Sequence, residues 1–181
     1  MHGSYKTEGI VLKRINFGEA DRLLTLYSKH YGKIRALAKG VRRVTSRKGG
    51  NLEIFNHVSL FLIHGRNLDL LSEAQVINTY KSWRKELKKI GLAYYLCELV
   101  DRLTPEGQEN QVVFALLRDS LSLIDKKKPL ELIRSFEEEL LEELGFGVPL
   151  ALKRRPGSLK DYIESIIEAK IKSPKILHDL A

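Results

Sequence analysis

Along "KIRALAKG" (33–40), apolar Ile34, Ala36 and Ala38 alternate with Lys33, Arg35 and Lys39, and Leu37 falls among the charged positions. A period of two is that of a half-buried strand, here with one wet, positive face. Four further stretches read the same way. "KTEGIVLKRI" (6–15) is rich in β-branched and apolar residues and stops at the turn-like "NFGEA". "DRLLTLYS" (21–28) follows, ending at the turn "KHYG". "HVSLFLIHG" (57–65) and "LDLLSEAQVI" (68–77) form a hairpin closing near Gly65–Arg66–Asn67. Five short strands in under 80 residues point to a small barrel. The break "VRRVTSRKGGNLEIFN" between the third and fourth is long enough for a short helix or a flexible loop.

From residue 78 the period changes to 3.6. Trp83, Leu87, Ile90, Tyr94, Cys97 and Val100 recur three or four apart, as on one helical stripe. "TPEGQEN" (104–110) ends that helix, and "QVVFALLRDSLSLID" (111–125) gives a second. "LELIRSFEEELLEELG" (130–145) gives a third, with Pro129 at its start and Gly145 past its end. After a loop rich in Gly and Pro, Ser158 is placed to cap a last helix, 159–171, with Tyr162, Ile163, Ile166 and Ile167 on its apolar side. The expected fold is α+β in two domains: a five-stranded barrel over 1–79 and an all-α domain over 80–181.

Composition sharpens this picture. At 43% apolar and 30% charged, the 181-residue chain reads as globular. No apolar run approaches the roughly 18 residues of a membrane span. "MHGSYKTEG" has no apolar core of an export signal, and the only cysteine is Cys97, so a cytoplasmic protein is expected. The net charge of +8 is uneven: residues 1–80 carry 13 Lys and Arg against 6 Asp and Glu, whereas 81–181 carry 18 against 17. That excess favours a polyanionic partner for the first domain.

The excess concentrates in "GKIRALAKGVRRVTSRKGG" (32–50). There Lys33, Arg35, Lys39, Arg42, Arg43, Arg47 and Lys48 meet no acid. A solvated loop is the plainer interpretation. A phosphate-binding surface fits better, because strand and loop charges are contiguous and unevenly spaced, as suits a flexible backbone of phosphates. Lys13 and Arg14 on the first strand extend the patch, and Gly40, Gly49 and Gly50 let the loop reshape around a ligand. A small barrel with a positive face is the architecture of an OB-fold, which binds single strands by charge and base stacking. Among its aromatics, Phe17 and Tyr31 are the expected exposed ones.

Enzyme signatures are missing: no phosphate loop, no G-x-S-x-G and no H-E-x-x-H. The five histidines are scattered, and no zinc set or other cofactor site is expected. Glu138 and Glu142 lie one turn apart within "EEELLEEL" (137–144), but interleaved leucines make this a solvated helix face rather than a metal site.

At "EADRLLTLYSKHYGKIRALAKGVRR" and "NLEIFNHVSLFLIHGRNLDLLSEAQVI" the sequence resembles the RecO family of bacterial recombination mediator and DNA repair proteins. The matching positions are Glu19, Asp21 and Arg22; Gly32; Lys39 to Arg43; Leu52 and Phe55; and Leu68, Leu71 and Glu73. The helical half is similar more loosely, through "LAYYLCELVDRLT", "LLEELGF" and "AKIKSPKIL". The resemblance implies an N-terminal OB-fold and a helical domain without catalytic residues. It implies binding to single- and double-stranded DNA, annealing of complementary strands, and help in replacing single-strand-binding protein by RecA. It also implies as partners RecR and the acidic C-terminal tail of single-strand-binding protein. For that tail Lys88, Arg102, Arg118 and Arg134 are candidate groove edges. One departure is plain: where many members carry a four-cysteine zinc module, this chain has "GFGVPLALKRRPGS". Contacts inferred through that module do not carry over. Competing expectations are an RNA-directed OB protein associated with ribosomes, a nucleic-acid enzyme using the glutamate-rich helix with a divalent ion, and a scaffold that ignores nucleic acid.

Overall fold

The computed structural model describes residues 3–46 and 48–173. Arg47 and the end of the "AKIKSPKIL" motif lie outside them. Five strands, β1 (Ser4–Phe17), β2 (Asp21–Ser28), β3 (Gly32–Ala38), β4 (His57–Ile63) and β5 (Asp69–Asn78), close a barrel in the order β1-β2-β3-β5-β4. Neighbours are antiparallel except β3 and β5, which pair in parallel at Ala36–Asp69 and Leu37–Leu70. This is the five-stranded OB-type barrel that the alternation foretold. Its core is the inward row of each strand: Val11, Leu24, Leu26, Ile34, Ala36, Val58, Leu60, Leu62, Leu71 and Ala74 are all buried.

The connection from β3 to β4 takes the first of the two forms its length allows, a short helix. It carries a 3-10 turn, Gly50–Leu52, and buries Val41 and Leu52 in the barrel core. Asn51 Nδ2 donates to the Ala74 carbonyl (2.9 Å), and Asn56 Nδ2 donates to that of Asn51 (2.9 Å). These apolar anchors and side-chain-to-backbone bonds hold Val41 and residues 50–56 in place.

Five helices follow: α1 (Leu87–Leu103), α2 (Gln111–Leu123), α3 (Pro129–Glu143), α4 (Leu150–Lys153) and α5 (Lys160–Ile167). The chain divides into two compact units, one running to Thr79 and joined by Pro105–Phe114, the other Tyr80–Thr104 with Ala115 onward. The sequence places 105–114 among the helices, whereas the structure groups it with the barrel. The reason is backbone contact: Gly107 N donates to the Lys33 carbonyl (2.9 Å), and Lys33 and Glu106 form a parallel bridge. Gly32 makes this approach possible. It sits at φ +60°, and a Cβ there would come within 1.9 Å of the Gln108 carbonyl oxygen.

The helical unit differs in detail from its sequence expectation. Residues before Leu87 are turns, and although Trp83 is buried, Leu87 and Tyr94 are exposed. Of the expected stripe Cys97 and Val100 are buried, and the buried face of α1 also takes in Leu92, Tyr95, Leu96, Leu99 and Leu103. So apolar a helix offers several stripes, and packing selects among them. Trp83 Nε1 donates to the Leu121 carbonyl (3.0 Å), fixing the entry to the helices. The last helix stops at Ile167, because Glu168 adopts a left-handed conformation at φ 51°. Ser158 Oγ still accepts from Lys160 N (3.0 Å), although Leu159 stands at the N-cap.

Glu137 overturns the view of the 137–144 run as a wholly solvated face. It is fully buried, accepting from Tyr95 Oη (2.5 Å), Ser158 Oγ (2.5 Å) and Leu159 N (2.7 Å). Burial pushes its carboxyl above the ordinary range, only partly opposed by these three donors and by Arg134. Glu142 pairs with Lys153 (2.8 Å) and Glu138 with Arg134 (2.7 Å).

Candidate nucleic-acid interface

Strand register decides which cations share a face. Directly paired residues point to the same side of a sheet, and neighbours along a strand alternate. Lys13 pairs with Thr25, and Thr25 with Arg35, so these three form one row across β1, β2 and β3. The next row is Ile15, Leu23 and Leu37, and beyond it Phe17 pairs with Asp21. Lys39 follows Leu37 on the same face by alternation. The rows in between point inward: Arg14 pairs with Leu24, itself opposite Ala36, and both of those are buried.

Arg14 therefore leaves the patch to which the sequence assigns it. Its guanidinium donates to Glu53 at 2.5 Å. Arg22 shares its inward parity, opposite Asn16 and Ala38. Burial, then Arg14 and Arg42, hold the Arg22 guanidinium below its usual range, against the pull of Glu53. Arg22 is thus a cation near the strip that charge counting in 32–50 missed. Its position follows from pairing with β3, which the sequence does not display.

The turn after β3 is docked onto the β1–β2 hairpin. Gly40 N donates to Asp21 Oδ1 (2.7 Å), Arg42 N to the Ala20 carbonyl (2.9 Å), and Arg42 Nη1 to the Gly18 carbonyl (3.2 Å). Asp21 thus acts by holding the Lys39–Gly40 corner, and Arg42 is brought to the tip that carries Phe17. Arg35, Lys39, Arg42 and Arg43 are solvent-exposed and Lys48 half-buried; among the described residues none of these five meets a carboxylate in an ion pair. Lys33 is half-buried at the end of β3 that meets residues 105–114. Phe17 and Tyr31 are both exposed, at 54% and 37%.

Among the described residues, no group of three His, Cys, Asp or Glu side chains is arranged to hold a metal ion. Cys97 is buried, and desolvation pushes its thiol well up, as for a packing residue. No described helix is long and apolar enough to cross a membrane. Three of the expected groove-edge cations have ion pairs nearby: Arg102 lies 3.7 Å from Glu98, Arg118 pairs with Asp119 (2.7 Å), and Arg134 binds Glu138 and the carbonyls of Leu152 (2.7 Å) and Gly157 (3.1 Å).

The fold is an OB-type barrel bearing a cationic outer face, joined to a helical unit. Comparison with known proteins agrees. The family model described as Recombination protein O N terminal matches residues 1–80, and Recombination protein O C terminal matches 84–155. The chain belongs to the recombination protein O family. A DNA repair protein RecO of Pelotomaculum thermopropionicum is 42% identical over 142 residues, covering 78% of this chain and 56% of that protein. Its counterpart in Symbiobacterium thermophilum is 38% identical over 149 residues, 81% of this chain and 59% of that protein. In Roseiflexus sp. the figures are 38% over 143 residues, 78% and 50%. The chain thus spans between half and three-fifths of these relatives.

Proposed function

We propose that this chain is a DNA-binding recombination mediator, and that the outer face of β1–β2–β3 with the turn that follows β3 is its polynucleotide surface. The observation that carries this is the row Lys13–Thr25–Arg35, continued by Lys39 and by Arg42 on the hairpin tip. Lys33, Arg43, Arg47 and Lys48 complete the set. The cationic row itself neutralises phosphates and reads no base edge, so on its own it takes single and double strands of any sequence. Lowering the repulsion between two complementary strands while leaving their bases accessible promotes annealing. The names of the relatives support a role in DNA repair. Within that role we assign the chain to assisting replacement of single-strand-binding protein by RecA, with RecR and the acidic tail of single-strand-binding protein as partners.

The test is titration of a labelled single strand at several salt concentrations. With about four to six phosphates engaged, log K falls against log[salt] with a slope of roughly −3 to −4. The double substitution Arg42→Glu, Arg43→Glu abolishes binding with the circular dichroism spectrum retained. Unchanged affinity in that variant refutes the placement. Annealing of strands coated with single-strand-binding protein, followed by fluorescence, then tests the mediator role.

A further inference from the structure

We propose that a cleft beside β3 seats one unpaired nucleotide whose base carries an amino group, cytosine in preference to thymine. The inference rests on the barrel being a single-strand-binding surface, and adds a base-discriminating subsite to it.

The cleft arises because β3 pairs with β5 only at Ala36 and Leu37, so its first half stays open on that side until Lys33 meets Glu106. The space is about 330 Å³, at the lower end of volumes that hold small ligands. One wall is Lys33 to Arg35, and the facing wall is the β4–β5 turn with Arg66 and Asp69. Glu106 and Gly107 close an end. Gly65 keeps the turn tight, since a Cβ there would come within 2.0 Å of the Leu68 carbonyl oxygen.

Its chemistry is mixed in a particular way. Lys33, Arg35 and Arg66 supply positive charge, while Asp69 and Glu106 supply carboxylates. A site for a bare anion gains nothing from carboxylates. A nucleotide presents both a phosphate and, on three of the four bases, amino N–H donors, and Asp or Glu accepting from cytosine N4 is an established pairing. Asp69 is already occupied: Tyr5 Oη donates to it, and His64 Nδ1 lies 3.2 Å away. Glu106 is exposed, and among the described residues its carboxylate makes no ion pair, so it is the acceptor in hand. Beside the cleft His64 stacks on Tyr5 at 4.6 Å, and Tyr31 packs on Tyr5 from 4.3 Å. The His64 side chain is 54% exposed and offers a flat wall for a base. A base stacked within a duplex cannot enter a cleft in the barrel surface, so the cleft suits one that is unpaired and out of the stack.

The experiment compares fluorescein-labelled 15-mers of dC and dT by anisotropy at pH 8. Charge and ring size match between the two, so only the base edge differs. The expected result is about fivefold or more tighter binding of oligo-dC. Glu106→Ala brings the ratio to about one without weakening oligo-dT. Arg66→Ala weakens both oligonucleotides alike. Equal affinity of the unaltered chain for the two, or a ratio unmoved by Glu106→Ala, overturns the subsite and leaves the DNA-binding surface standing. Binding of neither oligonucleotide at low salt overturns that surface itself.

Discussion

Lys13 and Arg35 stand in one row across three strands, each directly opposite Thr25 of β2. Two strand spacings, about 10 Å, separate their backbones. Both side chains rise from the outer face, whereas Arg14, the next residue after Lys13, turns inward to Glu53. The contrast makes a sharp prediction. Lys13→Ala and Arg35→Ala each make the salt slope of single-strand binding shallower by about 0.7, because each leaves one phosphate without its cation. Arg14→Ala leaves the slope where it was. Anisotropy titrations at four salt concentrations resolve the difference, and a slope change in Arg14→Ala equal to that of Lys13→Ala would contradict the register argument.

Gly32 ties residues 105–114 to the barrel. Any side chain there meets both a left-handed backbone and the Gln108 carbonyl. Gly32→Ala should therefore destabilise by about 2 kcal/mol or more, since strain and steric overlap add. Gly50→Ala is the control: nothing lies within 4 Å of a Cβ there, and φ is not positive, so its midpoint in urea stays close to the parent. Equal midpoints for the two variants would show that the close approach at Gly32 carries no weight.

The strands and their polarity were legible because a period of two survives in β2, β3 and β4 with little interruption. Lys33, Arg35 and Lys39 could be put on one face from alternation alone. Lys13 and Arg14 could not be told apart, because a bulge between Val11 and Lys13 shifts the parity of β1, and only pairing with β2 shows it. The partnership of Arg14 with Glu53 crosses 39 residues and leaves no local trace. The same holds for Glu137: at the level of pattern it is one of five glutamates, and its burial depends on Tyr95 and Ser158, distant in the chain. Residues 105–114 carry turn signals that mark the end of a helix but not which unit the turn joins.

Glu137 sits where a carboxylate organises three donors from two distant segments. Glu137→Ala leaves Tyr95 Oη and Leu159 N buried without their acceptor and frees the exposed Ser158 Oγ, at a cost of about 3 kcal/mol in thermal or urea unfolding. The pH dependence has a definite sign. The folded-state pKa is raised, so the native protein holds its proton more tightly than the unfolded chain. Stability from this group is present below the ordinary carboxylate range and is lost as pH rises through the higher folded value. In Glu137→Gln that decline is removed, so the parent loses stability relative to the variant on titrating upward from pH 4. A difference that grows in the opposite direction would reverse the sign of the shift.

Phe17 closes the outer face at the tip of the β1–β2 hairpin, next to the turn that carries Arg42. Its ring is 54% exposed, so it adds little to the core, and Phe17→Ala should unfold within about 0.5 kcal/mol of the parent. An aromatic beside phosphate-binding cations is placed to stack on a base, worth about 1–3 kcal/mol per base in single-strand binding. Phe17→Ala therefore weakens single-strand affinity about 5- to 150-fold, while its salt slope stays that of the parent, because every cation remains. The buried Trp83 makes a second measurement possible: as the only tryptophan it reports on the core, whereas Phe17→Trp adds an exposed indole at the hairpin tip. Quenching of that added emission on titration with oligo-dT marks stacking. Undiminished emission at saturating oligonucleotide would show that bases pass the hairpin without touching it.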